Sequence, residues 1–187
     1  MLDQEKLVQT VLSCGAAKAE VITREQIVTN RAFWDICEGN GCGRFGKYWN
    51  CPPAIGEPEA LMAEIDTFSR AVLYQTIGEI EDSFDIEGMG EVGVSHKRTS
   101  RRIHNTLPEI MDGTRFLHLS SGGCDLCARC AKEENKPCRF PDKILKPMEG
   151  YCINVYRTTK GTGLKYINGA NTVTYFGIIL FEETENG

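Results

Sequence analysis

The 187-residue chain has no run approaching the roughly 20 consecutive apolar residues that a membrane-spanning helix needs. Its first twenty residues carry early charges and lack the apolar core and cleavage site of a secretory signal. The expectation is therefore a soluble, cytoplasmic protein with no membrane partner. An excess of positive charge is also missing. Lys and Arg total 21 against 26 Asp and Glu, a net charge of -5, which argues against nucleic-acid binding across the whole surface. Gly88-Met89-Gly90 and Gly161-Thr162-Gly163 do not continue as GxGxxG, and there is no P-loop, GxSxG or HExxH. The acidic stretch from Glu79 to Glu91 lacks the alternating oxygen ligands of a calcium loop. Outside the cysteines, no group of residues reads as a catalytic set.

What the chain does have is nine cysteines. In a reducing compartment that number, being odd, does not suit a disulfide framework, and metal ligation is the remaining common reason to keep so many thiols. Cys124, Cys127, Cys130 and Cys138 follow the spacing C-x2-C-x2-C-x7-C. A chain wrapping a cube of iron and sulfide must deliver a thiolate to successive corners every few residues, and bacterial ferredoxins open with the same run. These four are expected to hold a 4Fe-4S cluster. Gly122 and Gly123 let the backbone turn tightly beside it, and Pro137 and Pro141 bracket the last ligand. The alternative is zinc, whose usual spacing is two separate C-x2-C pairs.

Cys37, Cys42 and Cys51 supply three more thiols in a loop rich in glycine. They are expected to bind a metal or a second cluster, with a fourth position that the sequence leaves open. Cys14, Cys152, a non-cysteine side chain, a substrate or water could fill it. The competing reading is that they are buried packing thiols. Phe45, Tyr48 and Trp49 lie among them and would cover a cluster, line a pocket or pack in the core.

Helical spacing of Leu7, Val8, Val11 and Leu12 predicts a helix over residues 3–13, and extended pieces follow within 19–28. A helix is expected over 57–70, with Pro58 in its first turn, then a strand over 71–77. Residues 78–93 read as a mobile acidic loop, after which Ser95 would cap a helix ending at Asp112-Gly113. Residues 115–119 read as a strand and 148–159 as a helix, although the valine, isoleucine and tyrosines of 148–159 equally permit a strand. The β-branched and aromatic run 172–182 reads as an interior strand. Together these give an α+β (or α/β) fold in one domain over 1–187. A single sheet of four to five strands would carry packed helices, an N-terminal cysteine loop over 37–53 and a C-terminal cysteine cluster over 122–141.

The blocks Cys37, Cys42, Phe45-Gly46-Lys47, Trp49, Cys51-Pro52-Pro53, Gly123-Cys124-x2-Cys127-x2-Cys130-Ala131 and Pro137-Cys138-Arg139-x-Pro141 together resemble a prokaryotic family of unknown function described as predicted metal-binding proteins. The resemblance covers most of the chain. It implies that the seven cysteines in these blocks are metal or cluster ligands, and that Cys14 and Cys152 stand where the family has small or apolar residues. A shorter likeness links the Gly-Cys-x2-Cys-x2-Cys block to the cluster module of corrinoid-activating iron-sulfur proteins from anaerobes.

The dense basic stretch His96 to His104 would place His96, Arg98, Arg101, Arg102 and Asn105 on one broad helical face, either a solvated surface or a dock for an acidic electron-transfer partner or a phosphate. His96 and His104 lie two turns apart, too far to chelate one metal, and His118 is either a core residue or a partner to a ligand. The leading functional expectation is an electron carrier of anaerobic metabolism working with a redox partner protein. The alternatives are an enzyme with an open coordination position at Cys37, Cys42 and Cys51, and a zinc-stabilised structural or interaction domain.

Overall fold

The structure, a computed structural model, describes residues 2–183. It is an α+β fold built on one five-stranded sheet of order β1-β2-β5-β3-β4, comprising β1 (Lys18–Thr23), β2 (Arg70–Glu79), β3 (Phe116–Ser120), β4 (Lys146–Pro147) and β5 (Thr172–Phe181). β1, β2, β5 and β3 pair antiparallel in turn, and only β4 runs parallel to its neighbour β3. The spine is the ten-residue ladder of β2 and β5, from Arg70 opposite Phe181 to Glu79 opposite Thr172. Both strands read as near-continuous apolar runs because both faces of the sheet are covered.

On one face lie α1 (Gln4–Ser13) and α4 (Ile86–Met111), where Leu7 and Val11 meet Ile103, Leu107 and Met111 over Val72, Tyr74, Ile179 and Phe181. Alternate residues of the same strands, Ala71, Leu73, Ile178 and Leu180, face the other side. There they pack with Ile65 of α3 (Pro58–Asp66), Trp34 of α2 (Ala32–Glu38) and Tyr151. Each fully buried Leu or Ile contributes about 1.5–3 kcal/mol, so the two-sided core supplies the main driving force for the sheet. A last short helix, α5 (Val155–Thr158), follows the buried turn at Tyr151–Ile153.

Three expectations need correction. Residues 78–93 are not one mobile loop, because Glu79 still belongs to β2 and α4 begins at Ile86, capped by the Asp85 carboxylate accepting from the Gly88 N–H at 2.8 Å. Ser95 is therefore inside the helix. The early start is held by packing: a Cβ at Gly78 would overlap Val92, and the Tyr175 hydroxyl donates to the Met89 carbonyl at 2.9 Å. Helix propensity read from three glycines misses such tertiary contacts. Secondly, residues 148–159 form turns rather than a helix. Cys152 sits at φ +61°, which breaks helical continuity, and only Val155–Thr158 is helical. Thirdly, α3 stops at Asp66, and Arg70 already belongs to β2.

Among the described residues, no helix is long and apolar enough to cross a membrane.

Candidate metal centre

The cysteine run is an excursion clipped at its base. β3 ends at Ser120 and the chain returns at β4, so Leu119 pairs with Lys146 and Ser120 with Pro147, while the Met148 N–H donates to the Ser120 carbonyl at 2.8 Å. Between these anchors the chain forms short turns at Ala131–Glu134 and Pro141–Lys143. Cys124, Cys127, Cys130 and Cys138 all line one cleft, together with Tyr48, Trp49, Asn50, Leu126, Ala131 and Phe140. The Phe140 N–H already points at the Cys138 sulfur, at 3.4 Å. Burial pushes the Cys124 thiol up, and the Leu126 backbone N–H pulls it the other way, as an N–H aimed at a thiolate does.

Aromatic residues from the first cysteine block close this cleft. Trp49 Nε1 donates to the Lys136 carbonyl at 3.0 Å, and Lys132 Nζ stands 4.4 Å from the centre of the indole. Tyr48 lines the same wall, whereas Phe45 turns away to meet Trp34 edge-on at 6.5 Å.

Cys37, Cys42 and Cys51 line a second, larger cavity of about 530 Å³ with Phe33, Ile36, Pro52, Pro147, Arg44 and Glu149. Cys37 is not in a loop but on the last turn of α2, and the chain then leaves the helix through tight turns. Cys51 is buried and Cys42 exposed. Burial first, then the neighbouring Cys42, pushes the Cys51 thiol up to about 12, and burial raises Cys37 as well, with Glu149 next among its causes.

Gly122 and Gly123 line this cavity immediately before Cys124, so the two cysteine sets share a wall. The Arg44 side chain packs directly over Gly123, where a Cβ would overlap it unless the arginine moved. Asn50, only 1% exposed, ties the sets together. Its Oδ1 accepts from the Cys124 N–H at 3.0 Å and lies 3.4 Å from the Cys51 sulfur, and its Nδ2 donates to the Leu145 carbonyl at 3.0 Å.

Two residues in this region were not found from sequence. Asn50 looked like one polar residue in a loop, with only its place beside Cys51 as a signal. Glu149 lies far along the chain, yet its Oε2 is sealed from solvent beside the second cavity without a hydrogen-bond partner among the described residues. Burial pushes its carboxyl up, and the backbone N–H groups of Glu149 and Gly122 offset part of that.

Cys14 and Cys152 line neither the cleft nor the cavity. Cys14 is the C-cap of α1, its N–H donating to the Thr10 carbonyl at 3.0 Å while its own carbonyl accepts from Arg102 Nε at 2.9 Å, and Cys152 is buried in the core. Nor does His96 join a basic face. It is fully buried, its Nδ1 2.8 Å from the Thr76 hydroxyl, in a chain of polar contacts that continues through Ser100, Ser120 and Tyr74 to His118 and His104.

Among the described residues, no three Cys, His, Asp or Glu side chains already stand at metal-holding distances. The donor chemistry nevertheless fits a metal: four thiols converge on one cleft, and three more share a cavity with a carboxylate oxygen that has no hydrogen-bond partner among the described residues. Cys42 sits between Gly41 and Gly43, around which a Cβ would meet nothing within 4 Å.

No curated protein and no solved structure matches the chain significantly. One family does match, over residues 20–181, a span that contains both cysteine sets. The chain belongs to the family of predicted metal-binding proteins designated DUF2284.

Proposed function

We propose that Cys124, Cys127, Cys130 and Cys138 hold a 4Fe-4S cluster and that the protein carries single electrons to or from a redox partner protein. The observation that supports this reading is the convergence of all four thiols on one cleft roofed by Tyr48 and Trp49. A cluster bound there supplies reversible one-electron redox chemistry. The chain supplies the thiolates, backbone N–H groups near sulfur such as those of Leu126 and Phe140, and an aromatic cover that restricts water, and all of these tune the potential. Cys37, Cys42 and Cys51 hold a second metal across the wall formed by Gly122 and Gly123.

The partner docks on the basic rim. Arg98, Arg101, Arg102 and Lys143 surround a surface hollow that also contains Leu126 of the cluster loop, so an acidic partner seated there would approach the cluster through that loop. Arg101 is already paired with Asp125, while Arg98 and Lys143 are exposed and make no ion pair among the described residues.

A second reading, one zinc ion on the four C-terminal thiols, is favoured by the tightness of the cleft, whose open volume of about 20 Å³ is close to that of a single water site. Anaerobic purification followed by iron, sulfide and zinc analysis separates the two. The cluster reading expects a brown protein with iron and sulfide in equal amounts. Colourless protein with stoichiometric zinc would favour the second.

A further inference from the structure

We propose that Glu149 completes the metal site begun by Cys37, Cys42 and Cys51, giving three thiolates and one carboxylate around a borderline divalent ion such as zinc. The inference rests on the reading that these three cysteines bind a metal and assigns the ligand that the sequence leaves open.

Three observations carry it. Glu149 lines the same cavity as all three thiols, beside Pro147 at the end of β4. Its Oε2 is sealed from solvent and has no donor among the described residues. A carboxylate oxygen sealed from water without a hydrogen bond is costly, so proteins keep one where a proton or a cation compensates it. The cation lining the cavity, Arg44, packs its guanidinium against Gly123 and makes no hydrogen bond to Glu149 among the described residues.

The remaining cysteines are poorer candidates. Cys14 holds the end of α1 against Arg102, on the face of the sheet opposite the core that contains Trp34. Cys152 packs within that core and does not line the cavity. Three thiolates are soft donors and the carboxylate a hard one. That mixture suits a borderline ion, in contrast to the all-thiolate set across the wall. The cavity of about 530 Å³ has a largely apolar lining from Phe33, Ile36, Pro52 and Pro147, and it leaves room beside the ion for a small ligand.

Cobalt(II) serves as the probe, titrated anaerobically into the full-length protein, with Cys42→Ser as the reference that removes one thiolate. The absorbance lost in Cys42→Ser is the thiolate-to-cobalt charge transfer of this site. Glu149→Gln is expected to keep that band but bind cobalt about 10- to 100-fold more weakly in competition with a chelator, and Glu149→Asp to recover part of the loss. Without metal, Glu149→Gln should be at least as stable to urea as the parent, because it replaces a carboxyl group one of whose oxygens is sealed from solvent with no hydrogen-bond partner among the described residues. Unchanged cobalt affinity and spectrum in Glu149→Gln would overturn the assignment while leaving the three-thiol site standing. A metal-free Glu149→Gln protein less stable than the parent would also overturn it, by showing a structural role. If Cys42→Ser itself bound cobalt like the parent, the three-thiol reading would fall with it.

Discussion

The side-chain oxygen of Asn50 accepts the backbone N–H of Cys124 at 3.0 Å, across 74 positions of sequence, and the Asn50 side chain lies 3.4 Å from the sulfur of the adjacent Cys51. One buried amide thus fixes the entry of the C-terminal cysteine run against the end of the N-terminal one. The two cysteine sets are therefore tied to one another in structure.

Replacing Asn50 by Ala should therefore affect both sites. The Cys124 N–H and the Leu145 carbonyl would each lose a buried partner, at about 1–3 kcal/mol for each group left unsatisfied. The expected result is a lower urea midpoint together with loss of metal from both cysteine sets, read by metal analysis of single-site variants. Loss confined to one set would break the proposed link.

The buried histidines predict a pH dependence. Burial holds His96 down at about 4 and His118 well below the usual histidine range. In the unfolded chain both titrate near about 6.5, so the unfolded state takes up protons first. Their stabilising contribution is complete above about 6.5 and falls as pH drops toward 4, by up to about 1.4 kcal/mol per pH unit for each group. Urea denaturation across that window should give a shallower slope for His96→Gln than for the parent. Parallel slopes would mean that His96 does not titrate differently in the two states.

Two glycines near the two ends of one strand-to-helix connection should respond in opposite directions. Gly78→Ala forces a methyl into Val92 and should destabilise by about 1–3 kcal/mol. Gly90→Ala, inside α4 with nothing within 4 Å of the added methyl, should stabilise by about 0.5–1 kcal/mol. Thermal melts of the two variants check the pair.

The basic rim can be tested without knowing the partner. Oxidation of the reduced protein by ferricyanide, a polyanion, should slow in Arg98→Glu/Lys143→Glu at low salt, and oxidation by hexaamminecobalt(III), a polycation, should speed up. Both differences should shrink toward the parent at about 1 M salt, where the screening length is near 3 Å. Oxidation rates independent of rim charge would remove this surface from the account.

Much of this was legible in the sequence, for physical reasons that differ by element. β5 and β2 announce themselves because strands covered on both faces need long apolar runs, and α1 because one buried stripe repeats at helical spacing. The cysteine run is legible because its C-x2-C-x2-C steps are local in sequence. Residues 78–93 and 148–159 misread because Gly78, Gly88 and Cys152 are set by packing, capping and a left-handed turn. Charge density puts His96 on the basic face, because it does not say which side of α4 meets the sheet. Glu149 and Asn50 are important only once β3 and β4 bring distant segments together. No local pattern carries that information.

The central claim is the cluster on Cys124, Cys127, Cys130 and Cys138. Its most direct test is EPR of the anaerobically purified, dithionite-reduced protein, quantified against iron and sulfide, for the parent and for Cys127→Ser. The account predicts a reduced 4Fe-4S signal with about four irons and four sulfides assignable to this set, lost or changed in type in Cys127→Ser. An EPR-silent, iron-free parent holding one zinc on the same four cysteines would contradict it.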